Sequence, residues 1–483
     1  MSKKQHSNRK SKKKQKKASI GKEYIFICYF FVMIFVGMIG YMVYFHFNLS
    51  REFQNSSYNT RAKTAAEKVI RGEIRAADGE VLAETKVSSK GTETRNYPYD
   101  NLFSHVVGYT GQGGSGLESS QGYNLLTSDS FILDQIKREF QDKKKLGDTV
   151  VTTLDVNLQK ALSKAIGSHK GAAVAIDPET GKILAMVSKP DFDPNTIDKK
   201  YTKLTTDEDN SPLLNRATSG LYPPGSTFKI ITSLAYYHQY GSVSNFSYDC
   251  NGEITADDHT IHCYGNEKHG HQDFTELFAN SCNAGFVSVG LTLKKSEFRS
   301  TAESLLFNQD LPSPVRYKSS RFSLDSDSGT ALTMQTSIGQ GNTLVTPYHM
   351  CLIASAIAND GALMTPYLVD HIENDGGTVV KSYEPKSYGL LTSKKEAAFL
   401  QGLMRATVEE GTGTKLKSRK YTAYGKTGTA DFDSDHGKPH SWFVGYAEAD
   451  GKKIAVSVIV EASGTGSKYA VPAAKSAFDT YFD

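Results

Sequence analysis

Residues 24–47 contain no Asp, Glu, Lys or Arg, and no other stretch restricts the options of the chain so tightly. At about 1.5 Å per residue, ~20 helical residues cross a bilayer, so this run is long enough to span one. A cleaved signal peptide is the competing reading. It fits poorly, because the apolar run is too long and Asn48-Leu49-Ser50-Arg51-Glu52 offers no small-x-small cleavage site. The run therefore reads as a retained anchor. Ahead of it, residues 1–23 carry ten Lys/Arg against Glu23 alone, with almost nothing apolar to bury. Such a tail is expected to be disordered and, by the positive-inside rule, cytoplasmic, leaving the chain from about Asn48 outside. The net charge of +4 over 483 residues comes from this tail, and the remainder is net negative. A nucleic-acid-binding domain is not indicated.

With 39% hydrophobic residues, the chain beyond the anchor has enough apolar content for two folded parts. Residues 48–68 read as a polar helix or linker. Residues 71–83 alternate apolar and polar around Asp78-Gly79 and read as a hairpin. The interval from the anchor to Asp148 is too short for a glycosyltransferase domain. Residues 147–155 read as strand, and 156–166 as helix, with Leu158, Ala161, Leu162 and Ile166 at helical spacing. Strand, turn and strand follow over 171–187. Three more strands are expected over 422–429, 441–449 and 453–462, then a helix over 471–482. The fold class is α/β, an antiparallel sheet sandwiched by helices with a helical part between the two groups of strands. The expected division is a tail (1–23), an anchor (24–47), a small N-terminal domain (48–147) and a main domain (148–483) that ends at its last helix without a further module.

In Leu221-Tyr222-Pro223-Pro224-Gly225-Ser226-Thr227-Phe228-Lys229, a turn that cannot be helical delivers Ser226 into the first turn of a new helix, three residues ahead of Lys229. A partly desolvated amine at that spacing can take a hydroxyl proton, and free N–H groups at the helix start favour an oxyanion. Alone, Ser-x-x-Lys reads as a helix cap beside a solvated lysine. Further along stand Ser281-Cys282-Asn283 and Lys426-Thr427-Gly428. The ordered set Ser-x-x-Lys, Ser-x-Asn, Lys-Thr-Gly is the signature of penicillin-interacting acyl-serine transferases. The chain resembles the class B penicillin-binding proteins, monofunctional peptidoglycan D,D-transpeptidases of the penicillin-binding protein 2 and division type. Arg71-Gly72-x-Ile74, Arg95-x-Tyr97-Pro98, Gly114-Ser115-Gly116-Leu117-Glu118 and Ile338-Gly339-Gln340-Gly341 extend the resemblance. Ala76-Ala77-Asp78 departs from it where an Asp-Arg-Asn/Asp run is usual.

The resemblance implies a β-lactamase-like transpeptidase fold on a small pedestal with one transmembrane helix. It implies Ser226 as nucleophile, Lys229 as its base, Ser281 as proton relay between Lys229 and the leaving amine, and Asn283 as an amide that holds a substrate carbonyl and restrains Lys229. Lys426, Thr427, Gly428 and Thr429 would bind substrate, with the N–H groups of Ser226 and Thr429 forming an oxyanion hole. Its substrates would be peptidoglycan stem peptides, and β-lactam antibiotics would acylate it. A polytopic glycan polymerase in the membrane is the expected partner; no cofactor and no metal are expected. Two alternatives stay open: a class D-like β-lactamase or β-lactam sensor, and a non-catalytic scaffold of the cell-wall machinery. A P-loop reading of Gly425-Lys426-Thr427 fails, because Lys420 stands where that motif needs glycine. Gly411-Thr412-Gly413 and Gly464-Thr465-Gly466 read as turns.

Cys250 and Cys263 flank a hairpin-like stretch, so a disulfide between them is one reading. His259, His262, His269 and His271 in the same region raise zinc as another, but their spacing fits no standard finger. Cys282 reads as packed rather than reactive.

Overall fold

The computed structural model describes residues 22–45, 67–130, 143–430 and 438–483, together with 136, 140 and 141. It divides into two compact units, Met1–Asn59 and Thr60–Asp483. The first contains the helix Lys22–Tyr44. Its segment Tyr24–Tyr44 has a mean hydropathy of 2.4 and none of it is buried, as expected of a helix that turns apolar side chains toward lipid. Among the described residues it is the one helix long and apolar enough to cross a membrane. The expectations for the basic tail and for most of the linker after the anchor lie outside the described residues.

In the second unit, a six-stranded sheet runs in the order Val379–Ser382, Val369–Glu373, Thr149–Thr152, Ile74–Arg75, Val81–Val87, Glu93–Asn96. The expected hairpin is present: Ile74 faces Ala83 and Arg75 faces Val81, across a turn in which Gly79 takes φ +88°. Thr149–Thr152 is β-branched throughout and fully buried, because it lies inside the sheet with a partner on each side. Two strands from far downstream complete this sheet, so it draws on residues from both sides of position 148.

The main sheet has five strands in the order Thr422–Ala430, His440–Ala449, Lys452–Val460, Gly171–Ile176, Ile183–Lys189, all antiparallel. Central strands such as Lys452–Val460 are buried on both faces, which explains their nearly continuous apolar run. Helices Val156–Ile166 and Ala470–Tyr481 cover one face, burying Leu158, Leu162, Ile166, Ala474 and Phe478. Helix Pro347–Ala358, with all twelve residues buried, covers the other. It is apolar all round because it lies between the sheet and the helical part of the fold. Strand Thr422–Ala430 forms one edge of this sheet.

Three of the quoted sequence elements near the N-terminus meet at one carboxylate. Glu118, whose side chain is fully buried, accepts from Arg71 Nε at 2.6 Å and from Arg95 Nε at 2.7 Å, and Arg95 Nη1 also donates to Gly72 O at 2.7 Å. Burial alone would raise the Glu118 pKa, but the guanidiniums of Arg95 and Arg71 outweigh it and hold the carboxyl below its ordinary range. Removing one member of a buried ion cluster leaves the others uncompensated. Glu118→Ala is therefore expected to lower unfolding stability by about 3 kcal/mol at neutral pH, measured by urea denaturation. Because the folded pKa is depressed, the stabilisation is present above the unfolded pKa and lost as pH falls through the folded one. The gap between variant and wild type should accordingly narrow in acid.

Candidate active site

The turn that carries Ser226 is fixed from several directions. Tyr222 exchanges backbone hydrogen bonds with Val345 at 3.0 and 2.9 Å, Trp442 Nε1 donates to Pro223 O at 3.0 Å, and Thr227 Oγ1 donates to Pro224 O at 2.7 Å. Gly225 takes φ +54°, and a Cβ there would come within 2.7 Å of Thr429 O. A Cβ on Gly428 would lie 2.9 Å from Thr227 Cγ2 and 3.2 Å from Pro224 O. Two glycines thus let the turn lie directly against the edge strand. Phe228 anchors the far side, with Phe298, Phe307 and Phe322 at ring-centroid distances of 6.0, 5.6 and 5.9 Å. The helix starts more tightly than the sequence suggested. Gly225–Phe228 is a 3₁₀ turn, and the α-helix runs from Lys229 to Tyr240; tightened end turns of this kind are common.

Ser281 sits where helix Phe274–Ala279 ends. Cys282 N donates to Leu277 O at 3.0 Å and Ser281 N to Phe278 O at 3.2 Å, the bond pair of a Schellman cap. The cap's left-handed position falls on Ser281, at φ +58°, where glycine is the usual residue. A serine in that conformation is mildly strained, and its hydroxyl is what a glycine would lack.

Lys229 is fully buried. Its Nζ donates to Ser281 O at 2.7 Å, Asn283 Oδ1 at 2.8 Å and Ser281 Oγ at 3.3 Å, and lies 5.2 Å from the centroid of the Phe286 ring. Burial pushes its pKa down to about 8, with the nearby Cys282 and Cys263 sulfurs opposing the shift. The bond to Ser226 suggested by the three-residue spacing is not among the amine's partners in the described residues. Its donors go instead to a carbonyl, an amide oxygen and the Ser281 hydroxyl. Lys426, also fully buried, donates to Thr427 O at 3.2 Å and stacks over the Phe278 ring at 5.4 Å. Its pKa is lowered well below the ordinary lysine value, first by burial and then by the charge on Lys229. An amine held near neutrality beside hydroxyls can accept and return a proton.

Asn283 splits its amide between the two sides of the site, since its Nδ2 donates to His262 O at 3.1 Å. Thr427 Oγ1 bonds Thr412 Oγ1 at 2.5 Å, and Thr412 N donates to Ala279 O at 3.2 Å. The turn around Thr412 therefore links the edge strand to the helix ahead of Ser281. Sequence reasoning missed Thr412, Phe278 and Phe286. The glycines flanking Thr412 hinted at a tight approach, and a Cβ on Gly411 would indeed lie 2.1 Å from Ala279 O. Cys250 and Cys263 are free thiols, not a disulfide. His262 and His271 pair with Glu253 and Asp249, whereas His269 turns toward Cys250.

Two family models match: the penicillin binding protein transpeptidase domain over residues 171–479 and the penicillin binding protein A dimerisation domain over residues 71–150. Among curated relatives, the peptidoglycan D,D-transpeptidase PbpA of Mycolicibacterium smegmatis is 33% identical, over 83% of this chain and 87% of that protein. The PbpA of Mycobacterium tuberculosis is 31% identical, over 85% and 88%. Among solved structures, penicillin-binding protein A from M. tuberculosis as an imipenem acyl-enzyme complex aligns with a TM-score of 0.77 at 28% identity, covering 86% of this chain and 99% of that one. The order of elements, the convergence of the three motifs and these matches agree, and the chain belongs to the penicillin-binding protein transpeptidase family.

Proposed function

We propose that this chain is a membrane-anchored D,D-transpeptidase that cross-links peptidoglycan stem peptides through an acyl-enzyme on Ser226. The observation that carries the reading is the buried Lys229 amine, bonded to Ser281 and Asn283 and depressed to about 8. In its neutral form Lys229 takes the Ser226 proton as Oγ attacks the penultimate D-Ala carbonyl. Ser281, touching Lys229, returns a proton to the departing D-Ala amine. The amine of a second stem peptide then displaces Ser226 from the acyl carbon. The backbone N–H groups of Ser226 and Thr429 face the developing oxyanion, each such donor contributing roughly two to three decades of rate in comparable sites. Asn283 holds a substrate carbonyl, and Gly428 leaves room for an extended peptide along the edge strand. Lys426 and Thr427 receive the terminal carboxylate. That anion supplies the opposite charge that burial denies Lys426 and restores its cationic form. β-Lactams acylate the same serine and stay, because their leaving group remains tethered.

Ser226→Ala is expected to abolish covalent labelling by a fluorescent penicillin with circular dichroism unchanged, Lys229→Ala to abolish it as well, and Lys426→Ala to slow it. The wild-type labelling rate should rise with pH through about 8, as Lys229 loses its proton. Labelling of Ser226→Ala would overturn the nucleophile, and turnover of the label within minutes would favour the β-lactamase reading.

The helix Lys22–Tyr44 fits a single-pass anchor, and the Lys-rich segment before it supports an outward-facing main domain. Protease added to intact protoplasts is expected to digest the chain beyond Asn48 and spare an epitope at residue 2. The reverse pattern would remove access to a cell-wall substrate. A multi-span glycan polymerase is the partner this reading requires, since new strands must be made beside the cross-linker. Gly37 and Gly40, with nothing within 4 Å of a Cβ built on either, provide a notch for its helices. Co-purification in mild detergent should recover the polymerase with the native anchor and less of it when the anchor is exchanged. Recovery with neither form would refute the partnership.

A further inference from the structure

We propose that Cys250, Cys263, Cys282 and His269 form a closed zinc site that positions the Ser281–Asn283 loop. Cys250 ends strand Ser247–Cys250, Cys263 follows strand His259–His262, His269 precedes strand Gly270–Asp273 and Cys282 lies in the loop itself, and their ligand atoms lie within 4.8 Å of one another. Cys250 Sγ is 3.6 Å from Cys263 Sγ and 3.5 Å from His269 Nδ1, and Cys263 Sγ is 3.8 Å from Cys282 Sγ. A tetrahedral zinc ion, ~2.3 Å from sulfur and ~2.0 Å from nitrogen, spaces sulfurs about 3.8 Å apart and sulfur from nitrogen about 3.5 Å. A disulfide needs about 2.05 Å and would use two of the three thiols.

The surroundings suit thiolates. Each sulfur accepts from a backbone N–H: Cys250 from Gly252 at 3.4 Å, Cys263 from Ala284 at 3.5 Å and Cys282 from Gly285 at 3.3 Å. His269 presents Nδ1 to the cluster, and its Nε2 lies 3.7 Å from Glu267 Oε2, close enough for the carboxylate to close up on the ring as an outer partner when Nδ1 ligates. All three cysteines are buried, at 0–3% exposure. The short strands around them, Ser247–Cys250, Glu253–Ala256, His259–His262 and Gly270–Asp273, are largely exposed. With so little apolar surface of their own, they need a staple. Linear spacing gave no sign of it because Cys282 belongs to the acylation motif. Four protein ligands leave no open coordination position, so the ion is structural. It grips Cys282 between Ser281 and Asn283, and three thiol protons leave when it binds.

The test uses the full chain purified in mild detergent without chelator. About one zinc per chain is expected, and cobalt exchanged into the site should give thiolate-to-cobalt charge-transfer absorption in the near ultraviolet. Cys250→Ser and His269→Ala, outside the acylation machinery, should lose the metal and label with penicillin about tenfold or more slowly. Glu267→Gln should retain the fold and bind zinc about tenfold more weakly. Substoichiometric zinc with no cobalt–thiolate band, or a Cys250–Cys263 disulfide in the native protein, would overturn the site. Unchanged labelling of metal-stripped wild type would overturn the positioning role. The positioning role rests on the acyl-serine reading, but metal content does not. Loss of the zinc result with Ser226 labelling intact would therefore refute the metal alone.

Discussion

A lysine amine sealed from water must find partners or give up its charge, and Lys229 does some of both. Its hydrogen bonds to Ser281 and Asn283 tie the helix that follows Ser226 to the loop between helices Phe274–Ala279 and Asn283–Thr292. Elsewhere the same helices are joined by Gln239 and Tyr240, which donate to Thr292 O, and by the Tyr236–Phe274 ring contact, but at this point the amine makes the polar link. Cutting the amine back would leave a carbonyl and an amide oxygen without a donor inside the protein, at a typical cost of about 1–3 kcal/mol for each such group. The same burial that makes these contacts strong lowers the proton affinity of the amine. Structural support and a lowered proton affinity are therefore two consequences of one desolvated site.

Around that contact the fold supplies rigidity from opposite sides. The main sheet brings Lys426 to its edge strand, backed by His440–Ala449 in continuous register. The helical part brings Phe278 and Phe286 beneath the two lysines. Gly225 and Gly428 let the turn that carries Ser226 touch that edge strand, and Phe228 fills an aromatic pocket behind it. The candidate site is thus a seam between two packed layers, where motifs from distant parts of the chain meet.

Much of this was legible in the sequence, for identifiable reasons. Strands with β-branched runs and the helix 156–166 with its periodic leucines announced themselves locally, and the three motifs declared the family through their order. What stayed hidden depends on tertiary contact. The residues of Val369–Glu373 and Val379–Ser382 carry no mark that they complete a sheet begun near residue 74. The three-residue spacing pointed to a bond between Ser226 and Lys229, whereas the amine's partners are Ser281 and Asn283, which the motif set had already placed beside it. The cysteines looked like a disulfide pair because Cys282 was already explained by its motif. Only the fold, by bringing strand ends 250, 263 and 269 against that motif, joins them to it.

The most direct measurement is to react the protein with benzylpenicillin, digest it with trypsin and map the adduct by mass. Cleavage after Arg216 and Lys229 releases residues 217–229, which contain Ser226. The account predicts the whole penicilloyl adduct on that peptide, at Ser226. An adduct on a peptide carrying Ser281, or no adduct in folded protein, would contradict it.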